Sequence, residues 1–281
     1  PAALLLLEAL SLNLAALWAH RTPDEPFLML FSRSAFAILE QPAAVKGASG
    51  SLREALWEPI AIPALQHGQE ESTVASVVAL LVSHEHLVAP LAELMRHLID
   101  VREAPSLVSV ILGEVVTLQA SEMGADSSGP KNVAGFLVAL ASRAPMMLLA
   151  NRDFLNAVLT SEAYTIRCGV VSTYGQLQIE ASRIEVPPPD VREACEGLLA
   201  VPLERLHDVS SFVRCRALQT LALVAEARAL PADDFVRVAE LGLGRLSDKN
   251  ANARRAALQL YCRLLEFNPF SPTLSREGLA A

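Results

Sequence analysis

The feature that most limits what this chain can fold into is a repeat written into its C-terminal third. Leu203-Glu-Arg-Leu206-His-Asp208 returns forty residues later as Leu243-Gly-Arg-Leu246-Ser-Asp248. At the same shift Val213-Arg214 meets Ala253-Arg254, Ala217-Leu218-Gln219 meets Ala257-Leu258-Gln259, and Glu226 meets Glu266. A weaker third copy runs through Leu159, Ile166-Arg167 and Val170-Val171, with the internal spacing of Leu206, Val213-Arg214 and Ala217-Leu218. A unit this short cannot bury its apolar face by itself, so neighbouring copies must stack and close each other's cores.

Composition says what the unit is made of. The chain is 52% apolar but only 5% aromatic, and Leu and Ala fill most apolar positions, residues that lose little side-chain freedom in a helix. Strand alternation is absent. Helices are expected over roughly 2–18, 24–40, 51–66, 70–82, 86–100, 104–120, 131–142, 151–160, 162–180, 190–206, 210–228, 232–246 and 250–267. The breaks between them carry turn chemistry: Thr22-Pro23-Asp24, Gly47-Ala48-Ser49-Gly50, Ser127-Ser128-Gly129-Pro130, Pro187-Pro188-Pro189-Asp190, and Pro231 at a first-turn position. Two helices per unit at a period of 40 to 47 residues is the HEAT/armadillo pattern. The expected fold is therefore an all-α helical-repeat solenoid, a right-handed superhelix of antiparallel helix pairs. Its expected parts are an N-terminal helical region over 1–120, a HEAT-like repeat with flanking loops over 121–189, and two repeats with a tail over 190–281.

The apolar stripes make further claims. Val236, Ala239, Leu243 and Leu246 form one seam on the 232–246 helix, and Phe235, Val238 and Leu241 form another, as a helix held between its partner and the next repeat requires. Ala253, Ala257, Leu260, Leu264 and Phe267 give the following helix its seam. By the forty-residue register, Leu218 and Leu258 are both expected inside.

Charge divides the function classes. A net charge of −8 gives no general attraction to nucleic acid or to an acidic membrane. Residues 203–263 are the exception, with ten Lys or Arg against seven acids. Asp208 and Asp248 each stand six residues before an arginine, Arg214 and Arg254, acid in the turn and base in the second helix. That spacing is read as a structural ladder of Asp208, Arg214, Asp248 and Arg254 stitching adjacent repeats, with direct phosphate contact by those arginines the alternative. Arg205, Arg216, Arg245, Lys249 and Arg255 are not required by the ladder. Of these, Arg216, Arg245, Lys249 and Arg255 are the candidate DNA-contacting residues, against the plainer reading of a solvated face without interleaved aromatics.

The remaining motifs point away from catalysis. His84 and His86 have only Glu85 beside them and do not complete a zinc site. Ser127-Ser-Gly-Pro-Lys131 lacks phosphate-loop spacing and a preceding strand, and reads as an inter-repeat loop. The four cysteines, 168, 195, 215 and 262, are too far apart in sequence for a CxxC pair and suit a reducing compartment. Cys168 and Cys215 recur because the repeat recurs. No nucleophile stands with a base, so no enzyme activity, cofactor, metal or small-molecule substrate is expected. The leucine-rich run from Ala2 to Trp18 contains Glu8 and Asn13 and has no basic flank, so it reads as a buried helix, with no membrane segment expected. A chain that opens on Pro1 straight into that run reads as a segment of something longer.

Asp208-Val-Ser-Ser-Phe-Val-Arg214, Gly244-Arg-Leu-Ser-Asp-Lys249, Arg254-Arg-Ala-Ala-Leu-Gln-Leu260 and Leu264-Leu-Glu-Phe-Asn-Pro-Phe270 resemble, in order and spacing, runs of the condensin subunit 1 family, the non-SMC HEAT-repeat subunits of condensin I. Ser83-His84-Glu85-His86-Leu87 and Asp126-Ser-Ser-Gly-Pro-Lys131 with Phe136 and Arg143-Ala-Pro145 are similar to segments upstream of those runs. The resemblance is strong over about 203–270, fair over about 80–180 and thin before residue 80. Ala253 and Arg255-Ala256 depart from the family's Val and Lys-Asn, and the linker at Pro187–Pro189 is this chain's own. The resemblance implies a scaffold that binds the kleisin subunit and the SMC ATPase subunits in mitotic chromosome condensation, with ATP chemistry left to the SMC partners. It also implies a nuclear, chromosomal location with a cytoplasmic pool, and, taken with the local excess of base, makes DNA or chromatin contact through 203–263 a candidate beside the plainer solvated face. The alternative is a HEAT adaptor of transport or phosphatase type, taking peptide segments on its concave face.

Overall fold

The computed structural model describes residues 25–47, 50–118 and 128–270. Every regular element among them is helical, and the fold is an all-α helical repeat. The expected 2–18 helix and the Asp126-Ser127 end of the inter-repeat loop lie outside the described residues. The chain divides into two compact units, 1–144 and 145–281.

In the first unit the helices are α1 (Glu25–Leu39), α2 (Pro42–Gly47), α3 (Gly50–Gln66), α4 (Glu70–Ser83), α5 (Val88–Asp100), α6 (Pro105–Thr117) and α7 (Gly129–Arg143), with a 3-10 turn at Glu85–Leu87. α3 carries Pro59 and Pro63 within its length, positions where the ring removes an intrahelical N–H. The core gathers Trp57, Ile60, Leu81, Leu91, Leu94, Met95, Ile111, Phe136 and Leu140 from five of these helices. Asn132, buried in the first turn of α7, donates from Nδ2 to the Val82 carbonyl near the end of α4 at 3.1 Å. Glu58 on α3 accepts from His97 Nε2 at 2.8 Å and pairs with Arg102, tying α3 to the end of α5. The sequence reading placed Ser128 to Lys131 in a loop. Gly129, Pro130 and Lys131 instead form the first turn of α7, a position that tolerates proline because its N–H has no helical partner.

The second unit contains α8 (Pro145–Ala150), α9 (Arg152–Val158), α10 (Tyr164–Ser182), α11 (Pro189–Cys195), α12 (Ala200–Glu204), α13 (Ser211–Glu226), α14 (Ala232–Gly244) and α15 (Ala251–Glu266). The single helix expected over 190–206 is broken between α11 and α12. Gly197 there adopts φ +72°, a left-handed conformation that glycine enters without steric cost. α10 packs on α13, and α13 on α15, so three successive second helices lie side by side. Val171, Leu203, Leu206, Val213, Leu218, Leu221, Val224, Val238, Ala253, Ala257 and Leu260 make one continuous core through them. The third sequence copy is buried as well, at Leu159, Ile166, Val170 and Val171, and Val171 belongs to this core.

Two seams came out differently from expectation. On α14 only Val238 and Gly242 are buried, while Val236 and Leu243 are exposed. α14 lies against α15 and the turn after itself, so its Val236 side is left open. Leu258 is exposed although its counterpart Leu218 is fully buried, because α15 covers Leu218 and no described helix covers Leu258. Close approach elsewhere depends on a missing side chain: a Cβ on Gly175 of α10 would run into Thr220 Cγ2 of α13. No single helix among the described residues is long and apolar enough to cross a membrane.

Candidate functional site

The recurring chemistry sits where one helix pair meets the next. In each of the two well-matched repeats a 3-10 turn, Arg205–His207 or Arg245–Ser247, leads into an aspartate with extended backbone, φ −58° and ψ 147° at Asp208 and φ −60° and ψ 143° at Asp248. That aspartate then accepts from the backbone N–H two residues on, Ser210 to Asp208 Oδ1 at 2.8 Å and Asn250 to Asp248 Oδ1 at 2.9 Å. These local bonds fix the carboxylate before any partner arrives, in the manner of an Asx turn.

The partner is the arginine of the preceding repeat. Arg167, early in α10, donates from Nε and Nη2 to Asp208 Oδ2 and Oδ1 at 3.1 and 3.0 Å. Arg214, early in α13, donates from the same two nitrogens to Asp248 at 2.8 Å each. In both arginines Nη1 turns back to two carbonyls of its own repeat's turn: Ser161 and Glu162 for Arg167 at 2.6 and 3.0 Å, Asp208 and Val209 for Arg214 at 2.9 and 3.1 Å. The guanidinium thus bridges two turns in consecutive repeats, and its planar fork matches a carboxylate edge to edge. Arg254 makes only the backbone half of this arrangement, to the Asp248 and Lys249 carbonyls at 2.8 and 3.1 Å, and has no carboxylate among the described residues.

Both aspartates are held ionised. The Arg214 hydrogen bonds, helped by the Asn250 N–H and the Arg214 and Arg245 charges, outweigh burial and bring Asp248 down to about 2. At Asp208 burial pushes the carboxyl up, but the Arg167 bonds, the Ser210 N–H and the charges of Arg167 and Arg205 together carry it below its ordinary value.

The structure therefore brings Asp208, Arg214 and Asp248 together in a register running from one repeat to the next, with Arg167 as an unforeseen member. Its signal in the sequence was the third copy, in which Ile166-Arg167 stands for Val213-Arg214. The candidate DNA contacts divide. Arg216, Lys249 and Arg255 are exposed, whereas Arg245 is partly buried with Nη1 3.6 Å from Asp248, as Arg205 Nη1 is 3.7 Å from Asp208. Those two arginines, set aside as unneeded by the ladder, supply a second cation at each carboxylate. Sequence reasoning also missed an exposed aromatic pair: Tyr164 and Phe212 stack with ring centroids 4.9 Å apart and planes 23° apart, with Val209 exposed nearby in the chain. Their contact depends on the packing of α10 against α13, which residue spacing alone does not give.

Chemically the arrangement positions the turn of one repeat against the turn of the next. Cys168, the thiol that follows Arg167, is pushed up to about 11 by burial, against the lowering effect of nearby arginines, which leaves little thiolate at neutral pH. His86 is engaged with the Leu39 carbonyl through Nε2 at 2.9 Å. No group of His, Cys, Asp and Glu able to hold a metal ion occurs among the described residues.

Comparison with known proteins gives the repeats a context. Residues 2–73 match the family described as non-SMC mitotic condensation complex subunit 1, N-term. The chain is 30% identical over 280 residues to condensin complex subunit 1 of Mus musculus, covering 100% of this chain and 20% of that one. Against condensin complex subunit 1 of Homo sapiens it is 29% identical over 276 residues, 98% of this chain and 20% of the relative. Against that of Schizosaccharomyces pombe it is 27% identical over 263 residues, 92% and 22%. The chain spans about a fifth of the length of the curated relatives it matches. The solved structure of an engineered protein aligns over 95% of this chain and 98% of its own at a TM-score of 0.45 and 17% identity, a likeness too loose to build on.

Proposed function

We propose that this chain, a homologue of the N-terminal part of condensin complex subunit 1, is a non-catalytic scaffold segment acting in mitotic chromosome condensation through protein partners. The observation that carries the reading is the alignment with condensin complex subunit 1 over nearly the whole chain, through both repeats that form the arginine–aspartate rungs. Stacked helix pairs clasped by arginine–aspartate pairs present a continuous surface from one repeat to the next, which suits assembly. The partners in this reading are the kleisin subunit and the SMC ATPase subunits, and ATP hydrolysis belongs to the latter. The exposed Tyr164–Phe212 stack with Val209 is the kind of aromatic, rigid patch around which protein interfaces concentrate their binding energy. The place of action in this reading is the chromosome.

The test is capture of a purified kleisin fragment by this chain. Binding that is lost in a Tyr164→Ala, Phe212→Ala double variant with unchanged helicity supports the reading. Absence of binding by a folded chain at micromolar concentrations counts against it.

A second, subordinate contact is with duplex DNA, favoured by the exposure of Arg216, Lys249 and Arg255 in a segment with more bases than acids. Such contact reads phosphate and carries no sequence preference.

A further inference from the structure

α13 is packed against α10 on one side and α15 on the other, so whatever stays open along it is open in the middle of the stack. Its exposed residues are Phe212, Arg216, Gln219, Leu223 and Glu226, separated by four, three, four and three positions, which sets them on one stripe. That stripe is apolar at two places, Phe212 at 60% exposure and Leu223 at 57%. At the first, Tyr164 of α10 stacks on Phe212, and Val209 is exposed in the turn before it. Beyond the second, Glu226 is paired with Arg263 of α15 at 3.4 Å. Repeat packing does not require the two apolar residues, because the same register positions hold Thr165 and Gln176 on α10 and Asn252 and Arg263 on α15.

Arg216 stands between them and meets no carboxylate among the described residues, whereas Arg167 and Arg214 are both clasped. It lies near enough to α10 for its charge to act on the Cys168 thiol. It too is peculiar to α13, since its register positions hold the buried Gly169 and Ala256. An open cation flanked by two exposed apolar groups is complementary to an anion flanked by two apolar groups. Phe212 and Arg216 are four helical positions apart, a rise of about 6 Å, close to the roughly 6.6 Å between same-side residues of an extended chain. A nucleic-acid strand, by contrast, brings a phosphate with every nucleotide and asks for a basic groove along its length.

We propose, resting on the reading of this chain as a scaffold for protein partners, that the α13 stripe is a docking track for an extended acidic peptide. Its apolar residue lies against Tyr164 and Phe212, an Asp or Glu two residues away pairs with Arg216, and a second apolar residue two to four positions beyond the acid covers Leu223. The aromatic pair supplies contact area and Arg216 supplies the choice of charge.

Selection of random peptides displayed on phage, with the purified chain as bait, reads this pattern without presupposing a partner. The selected peptides should share an acid two residues from an aromatic or large aliphatic residue. Arg216→Glu, at an exposed position, should exchange that acid for Lys or Arg, whereas Arg255→Glu should leave it in place. By fluorescence anisotropy with the best selected peptide, Phe212→Ala should weaken binding about tenfold or more and Arg216→Ala about fivefold, with helicity unchanged in each. A chain that selects this pattern but captures no kleisin supports the track and counts against the kleisin reading. A folded chain that captures kleisin but enriches no such pattern overturns the track alone. An acid preference that survives in Arg216→Glu, or that Arg255→Glu removes equally, also overturns it. So does Phe212-dependent self-association, which gives the stripe to a second copy, or a single-stranded oligonucleotide held there more tightly than any selected peptide.

Discussion

Arg214 donates to both carboxylate oxygens of Asp248, at 2.8 Å each, across 34 residues of chain. A lysine keeps the charge but offers a single ammonium in place of a planar fork, and cannot also reach back to the Asp208 and Val209 carbonyls. Arg214→Lys should therefore lose most of what Arg214→Ala loses, on the order of 3 kcal/mol for a pair whose aspartate is almost wholly buried. Urea unfolding of the two variants checks this, and a lysine variant with the wild-type midpoint would show that net charge is enough.

Leu218 and Leu258 occupy the same place in the repeat and should respond oppositely. Truncating Leu218 to alanine removes a fully buried side chain and should cost about 2–5 kcal/mol. The same change at Leu258 should stay within about 0.5 kcal/mol in residues 1–281. Thermal melts of the pair decide it, since equal losses would mean that both positions are inside.

This pair also marks how far the sequence could be read. The register, the helices and the acid-in-turn, base-in-helix arrangement were visible, because a repeat prints its own periodicity. Which aspartate each arginine meets was not, since Asp208 is six residues from Arg214 along the chain but the bidentate contact goes to Asp248. Exposure at Leu258, Val236 and Leu243 was hidden for a related reason: periodicity reports what a position is like in a continuing stack, whereas burial depends on whether a neighbour is present. The break of the expected 190–206 helix at Gly197 and the stacking of Tyr164 on Phe212 are tertiary outcomes with only weak local signals.

The contact between α10 and α13 depends on a hydrogen at residue 175. Gly175→Ala would drive a Cβ into Thr220 Cγ2, so either the Thr220 side chain or the helix spacing must give way, at about 1–3 kcal/mol. Thr220→Ala removes the obstructing methyl, and the double variant should recover most of the loss. Additive losses, measured by denaturant midpoints, would place the strain elsewhere.

Acid should loosen the repeats in a defined window. Asp248 is held at about 2 against an ordinary 3.8, and Asp208 is also lowered. A carboxylate whose folded value is depressed contributes its full stability above its unfolded value and loses it as pH falls toward the folded one. Stability should thus fall between about pH 4 and about pH 2, and the gap between wild type and Asp248→Asn should narrow over the same range. A gap that is constant with pH would mean that Asp248 is not the group being protonated.

Weak duplex DNA binding is expected from Arg216, Lys249 and Arg255. Fluorescence anisotropy at several salt concentrations should show a linear log–log dependence, and replacing all three by alanine should reduce the slope by about 0.9 for each phosphate contact removed. An unchanged slope, or no binding at low salt, would leave these three as ordinary solvated surface.

The arginine–aspartate rungs join one repeat to the next, and a pair of double-mutant cycles probes that register. Arg214→Ala is combined in turn with Asp248→Ala and with Asp208→Ala, and the coupling energies are taken from urea unfolding. Coupling on the order of 2 kcal/mol is expected between Arg214 and Asp248, and little between Arg214 and Asp208, whose side chain is clasped by Arg167. Strong coupling to Asp208 with none to Asp248 would mean that the arginines close their own turns and do not join one repeat to the next.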